Sequence, residues 1–232
     1  MRPEPAASGS TISCEGVGLD IDGIALVHDV NLRLGAGRIA IIGANGSGKS
    51  TFARMLNGLR TPTAGSLIVH GLDPVRDAAA LRRHVGFVFT NPEAQILMPT
   101  PAEDLALSLT DVPRNERATR ITEILERYGL ADRADVPVSG LSGGQRQLLA
   151  IASVLATEPG LVVADEPTTL LDLRNARRIG DLLLGLDVPL VLVTHDLELA
   201  ARCDEAVLFE GGTVRAVGEP AVVIDEYRRS CI

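Results

Sequence analysis

A chain of 232 residues, 46 % of them hydrophobic, is long enough for one elaborated α/β domain or two small ones and can bury a core without disulfides. Its 22 basic and 30 acidic residues leave a net charge of −8, which disfavours a nucleic-acid partner, because that affinity rests on clustered Lys and Arg. Cys14, Cys203 and Cys231 are odd in number and far apart, as free thiols of a reducing compartment are, and no apolar run approaches the roughly 18 residues a membrane span needs.

In chain order, residues 1–10 are small and polar with two prolines, which predicts disorder, and they lack the basic-then-apolar pattern of a signal peptide. From Thr11 to Leu34, alternating segments such as Ile24–Val27 and Val30–Leu34 predict antiparallel strands. Arg38–Ile42 is a short apolar run that reads as a buried strand, and Thr51–Asn57 reads as a helix stopped by Gly58. A strand follows at Gly65–His70, then a helix opened by Pro74 and reaching Arg83, then a strand at Val85–Phe89. Thr100-Pro101-Ala102-Glu103 is a capping box with Pro at the first helical position, which predicts a helix to Leu109. Pro113–Tyr128 is an amphipathic helix ended by Gly129, and Ser142–Thr157 a more buried one. Leu161–Ala164 and Leu190–Val193 read as parallel strands around a helix from Asp172 to Leu186. Ala206–Phe209 and Thr213–Val217 form a hairpin turning at Gly211-Gly212, and a helix covers 219–228. The expected division is a core of 11–89 and 158–218 that includes a β subdomain, a helical insert at 90–157, and a tail at 219–232.

Between the first buried strand and its helix lies Gly43-Ala44-Asn45-Gly46-Ser47-Gly48-Lys49-Ser50-Thr51, the pattern G-x-x-x-x-G-K-S of a phosphate-binding loop. Its glycines let successive backbone N–H groups turn toward an anion, and the helix N-terminus adds partial positive charge. Lys49 then reaches the β- and γ-phosphates, and the Ser50 hydroxyl ligates Mg²⁺. A second half of a site is offered by Leu161–Glu166, an apolar strand ending in adjacent acids whose side chains point different ways. Asp165 suits the Mg²⁺ shell, and Glu166 suits a base that orients and deprotonates a water attacking the γ-phosphate of ATP.

Leu141-Ser142-Gly143-Gly144-Gln145 opens a helix with Ser at the cap and two glycines baring N–H groups, a second anion site. This pentapeptide, lying before the acid-ended strand, resembles the signature motif of ATP-binding-cassette (ABC) ATPases, and the resemblance runs from about Thr11 to Gly218. It implies an α/β fold: a P-loop NTPase core with an antiparallel β subdomain and a helical insert subdomain. It also implies a head-to-tail dimer, homo- or heteromeric, in which Ser142, Gly143, Gly144 and Gln145 face the γ-phosphate of ATP bound to the partner. By the same resemblance, Leu171-Asp172 matches the dimer-contact loop, and His195 the switch histidine that contacts the γ-phosphate and holds the attacking water. Two positions depart from the family: Thr90 stands where a Gln is usual, too short to ligate the metal except through a bridging water, and Asp20-Ile21 stand where an aromatic ring usually stacks on adenine.

Thr90-Asn91-Pro92-Glu93-Ala94-Gln95-Ile96-Leu97-Met98-Pro99-Thr100, followed by Glu103-Asp104, resembles the N-P-x-x-Q-(apolar)₃-P-T-x-x-E-D pattern of energy-coupling-factor transporter ATPases, of the biotin or cobalt/nickel type. That likeness implies an ATPase on the cytoplasmic face of the membrane, held there by transmembrane coupling and substrate-binding subunits. Two other readings remain beside it: the ATPase of another ABC transporter, and a weakly hydrolysing soluble nucleotide-binding regulator.

Overall fold

The computed structural model describes residues 12–35 and 37–231; the disorder expected over 1–10 lies outside them. Three strands, β1 (Ile12–Ile21), β2 (Ile24–Leu34) and β4 (Ala64–Val69), form an antiparallel sheet in the order β2-β1-β4. The second sheet has six strands in the order β5-β6-β7-β3-β8-β9, built from β3 (Arg38–Ile42), β5 (Val85–Val88), β6 (Leu161–Asp165), β7 (Leu190–Val193), β8 (Glu205–Glu210) and β9 (Thr213–Gly218). All its pairings are parallel except β8 with β9.

The parallel strands read as unbroken apolar runs because both of their faces are covered. Alternate side chains enter different cores. Ile39, Ile41, Val163, Val191 and Phe209 pack beneath the antiparallel sheet and helix α1 (Lys49–Leu56), where the Phe52 and Phe209 rings lie 5.1 Å apart. Ala40, Ile42, Val162, Ala164, Leu192 and Leu208 face the other core. That core takes in α5 (Gly143–Leu155), α6 (Leu173–Leu184) and α8 (Pro220–Ser230). Between β5 and β6 the chain leaves the sheet to form α3 (Pro101–Ser108), α4 (Arg114–Tyr128) and α5. Helix α5 closes tightly on the sheet: a Cβ on Gly86 of β5 would lie 2.5 Å from the Val154 side chain.

Local chemistry moves some boundaries away from the sequence pattern. The segments read separately at 24–27 and 30–34 are one strand, β2, with a bulge where Asp29 takes φ 47° and Asn31 donates to its carboxylate. Pro74 opens no helix. The Asp73 carboxylate accepts the Val75 and Arg76 N–H groups, holding 74–77 in a turn, and helix α2 begins at Ala78 and ends at His84. At Thr100 the capping box is half closed: the hydroxyl accepts from the Glu103 N–H, while the Glu103 carboxylate takes that same hydroxyl rather than the backbone. A short helix missed in the sequence, α7 (Leu197–Ala200), starts where Asp196 accepts the N–H groups of Glu198 and Leu199.

Candidate functional site

Between β3 and α1 the chain turns through Gly43, Gly46 and Gly48, whose φ values of 142°, 79° and 99° are ones that side chains strain against. At Gly43 the need is also steric, because a Cβ there would lie 2.1 Å from the Phe209 carbonyl oxygen. The hairpin turn between β8 and β9 supports the loop from behind, with Gly212 donating to the Ser47 carbonyl. The loop walls a cavity of about 250 Å³ lined by Asn45 through Thr51, together with Leu26 and Glu166.

The polar groups of this loop are arranged for a guest. Lys49 is 5 % exposed, and its ammonium donates to the carbonyls of Gly43 and Ala44 at 2.7 Å each. Burial lowers its pKa, while Glu166 and Asp165 act in the opposite sense. Among the described residues the buried Ser47 hydroxyl has no hydrogen-bond partner, an orphaned polar atom at the point where a phosphate oxygen would supply one.

Asp165 ends β6 and is 1 % exposed. One oxygen accepts from the Ser50 hydroxyl at 2.7 Å; the other lies 3.6 Å from the Arg54 guanidinium. Burial raises its pKa above the ordinary carboxylate value, against the pull of the Ser50 hydrogen bond and Arg54. A buried carboxylate held next to a serine hydroxyl at a phosphate loop is the oxygen donor set that Mg²⁺ takes.

Glu166 follows in a left-handed backbone conformation, φ 52°, which in a residue that is neither Gly nor Asn marks a strained site. Its Oε2 accepts two hydrogen bonds, from Thr169 Oγ1 at 2.9 Å and from His195 Nδ1 at 2.7 Å. Both bonds fall on Oε2, and no hydrogen bond engages Oε1 among the described residues.

Thr90 lies just past β5, and its hydroxyl donates to the Asp165 carbonyl at 2.7 Å. Its one proton is therefore directed at the backbone of β6. The neighbouring amides are engaged as well: Asn91 accepts from the Glu93 N–H, and Gln95 accepts from the Phe89 N–H while donating to the Ala150 carbonyl. Ser142 and Gln145 form a closed capping box at the start of α5, with Ser142 Oγ accepting from the Gln145 N–H and Gln145 Oε1 from the Ser142 N–H. None of Ser142 to Gln145 lines the phosphate-loop cavity of its own chain. Asp172 caps α6 through the Asn175 N–H, flanked by Leu170 and Leu173, which are 64 % and 69 % exposed.

Structure thus brings the phosphate loop, Asp165, Glu166 and His195 together and leaves Ser142–Gln145 and Asp172 apart. It adds three residues the sequence reading missed. Arg54 stands one turn beyond Ser50 on α1, so its approach to Asp165 follows from helical spacing. Thr169 lies three residues after Glu166 and meets it within one turn, so its contact is likewise local in the chain. Leu26 carries no comparable signal, since it comes to the loop from the other sheet.

Comparison with known proteins agrees with this geometry. The family model described as ABC transporter matches residues 27–169. The chain is 46 % identical over 208 residues to a Bartonella quintana protein named for an ABC transporter ATP-binding function, covering 89 % of this chain and 92 % of that one. It is 38 % identical over 219 residues to the biotin transport ATP-binding protein BioM of Rhizobium etli, covering 94 % and 97 %. Among solved structures, cbiO1 of Clostridium perfringens, part of the transporter complex cbiONQ, superposes with a TM-score of 0.83 at 29 % identity, covering 94 % of this chain and 92 % of that one. The ATP-binding cassette MJ0796, a dimer bound to ADP and Pi after hydrolysis, gives 0.79 at 30 % identity, covering 90 % and 98 %. The chain belongs to the ABC transporter family, as an ATP-binding subunit with ATPase activity.

Proposed function

We propose that this subunit powers an energy-coupling-factor importer, with biotin or a cobalt or nickel ion as the cargo. The observation that carries the reading is how the segment 90–104 folds. Asp104, 5 % exposed, accepts the N–H groups of Leu97 and Met98 and the Ser153 hydroxyl, so the loop is fixed to α3 and α5 while Leu97 is left 76 % exposed. Leu97 stands on the rim of a groove of about 310 Å³ between the sheet and the helical insert, with Phe87, Leu107 and Val154 in its walls and Arg82 beside them. An apolar groove with a fixed apolar rim suits the helix of a membrane partner. The likeness to BioM and to cbiO1 supports the same class of transporter. No helix among the described residues is long and apolar enough to cross a membrane, so attachment to the cytoplasmic face rests on transmembrane coupling and substrate-binding subunits.

In the proposed cycle, two copies of this chain, or this chain and a related one, meet head to tail. The phosphate loop of each faces Ser142, Gly143, Gly144 and Gln145 of the other across a shared ATP, with Asp172 in the contact. Lys49 leaves the loop carbonyls for the β- and γ-phosphates, and the N–H groups of Asn45–Thr51 hold their oxygens. Ser50 and Asp165 would hold Mg²⁺, which when bound neutralises charge on the phosphates. Glu166 orients a water through its free oxygen and takes its proton, and His195 holds Glu166 and the water in line.

The test is to purify the chain with the membrane proteins that accompany it, reconstitute them in liposomes, and measure ATP-driven uptake of labelled biotin, Co²⁺ and Ni²⁺. Uptake of one of them, abolished by Glu166→Gln, is the expected result. ATP hydrolysis without any membrane partner, and without uptake, would favour a soluble role.

A further inference from the structure

We propose that Thr90 is a positioning residue for Glu166, acting through the peptide group between Asp165 and Glu166. Main-chain pairing of β5 with β6 ends at Val88 and Ala164, so the Asp165 carbonyl lies beyond the ladder on that side. The Thr90 hydroxyl supplies the missing donor, at 2.7 Å. On the opposite side of the same peptide, the Glu166 N–H donates to the Val193 carbonyl at 2.9 Å. One peptide plane is therefore pinned from both sides, by β7 and by the segment just past β5, and the next bond along the chain is the strained φ of 52° at Glu166. Rotation about that bond decides where the carboxylate points. With the plane fixed, the side chain comes to the two donors, Thr169 and His195, that take one of its oxygens, and Glu166 lines the phosphate-loop cavity.

The partner of this bond is a side chain, so a substitution that keeps the shape and removes the hydroxyl removes the donor. Thr90 also begins the segment that leaves the sheet for the helical insert, and Gln95 and Gln147 bind the main chain of the residue before it, Phe89.

The inference rests on Glu166 being the base, and the experiment separates the two ideas. Steady-state ATP hydrolysis is measured for the wild type, Thr90→Val, Thr90→Ser, Glu166→Gln and the double variant Thr90→Val/Glu166→Gln, with thermal unfolding as a check of fold. Thr90→Val, which keeps the shape and removes the donor, should lower kcat about tenfold with KM for Mg-ATP within about twofold, and Thr90→Ser should restore most of the rate. In the Glu166→Gln background, removing the hydroxyl should change the residual rate by less than about twofold, because the hydroxyl acts through that carboxylate. Wild-type turnover in Thr90→Val, an equal loss in Thr90→Ser, a multiplicative loss in the double variant, or an effect confined to the Mg²⁺ dependence would each overturn the positioning role. If Glu166→Gln itself kept wild-type turnover, the assignment of the base would fall, and the positioning role with it.

Discussion

Lys49 is the cation in the segment Gly43–Thr51, buried and with its pKa lowered by that burial, and in this state it binds the loop's own carbonyls. Replacing it by Ala removes the charge that would meet the phosphates, so Lys49→Ala should weaken ATP binding by at least about a hundredfold, roughly 2.7 kcal/mol, in a titration with a fluorescent nucleotide. A second set of residues bears on reactivity. Burial pushes the Cys14 thiol up to about 12 and Cys203 up to about 11, while Cys231 is exposed. Thiolate is the reactive form, so native protein near pH 8 should take up iodoacetamide at Cys231 alone, as peptide mass mapping would show. The same shift has a consequence for stability. A thiol whose folded pKa lies above its unfolded value of 9.0 favours the folded state at neutral pH, and that contribution is lost as pH rises from about 9 through about 12. Cys14→Ala should flatten this alkaline loss in denaturation curves taken across that range.

At the scale of elements, the loop between β5 and α3 is held by one buried carboxylate. Asp104→Ala leaves two N–H groups and the Ser153 hydroxyl without their acceptor, and should lower stability by about 2–4 kcal/mol, read as a shifted urea midpoint. Leu97→Glu should behave in the opposite way, because an exposed side chain changes stability by no more than about 0.5 kcal/mol. It should release the membrane partner in a pull-down while ATP binding persists, whereas a variant that still retains the partner would count against docking at this rim. How much could be read from sequence divides along the same physical line. Buried runs such as Arg38–Ile42, the caps at Ser142 and Asp172 and the stop at Gly129 are local signals, and the elements form where those signals stand. Pro74 misled because Asp73, one residue earlier, satisfies the backbone in a turn. In the site, the phosphate loop and the acid pair were legible because their chemistry is contiguous in the chain. Thr90 on the Asp165 carbonyl and Leu26 beside the loop depend on strands meeting across the sheets, and no spacing announces them.

At the scale of the whole molecule, one chain carries two features that do not meet and that the proposed function reads as anion sites: the phosphate loop with Lys49 and Glu166, and the glycine-bearing start of α5. Leu170 and Leu173 stand exposed beside Asp172, apolar surface next to the residue that the proposed dimer takes as its contact. A nucleotide bridging two chains explains both features, and retarding hydrolysis should make the bridge persist. The most direct measurement is the mass of Glu166→Gln in solution, by size exclusion with light scattering, with and without Mg-ATP, beside the double variant Glu166→Gln/Ser142→Arg. The account predicts a monomer without nucleotide, a dimer with Mg-ATP, and a monomer again when an arginine occupies position 142. A Glu166→Gln protein that binds ATP to saturation and remains monomeric would contradict it.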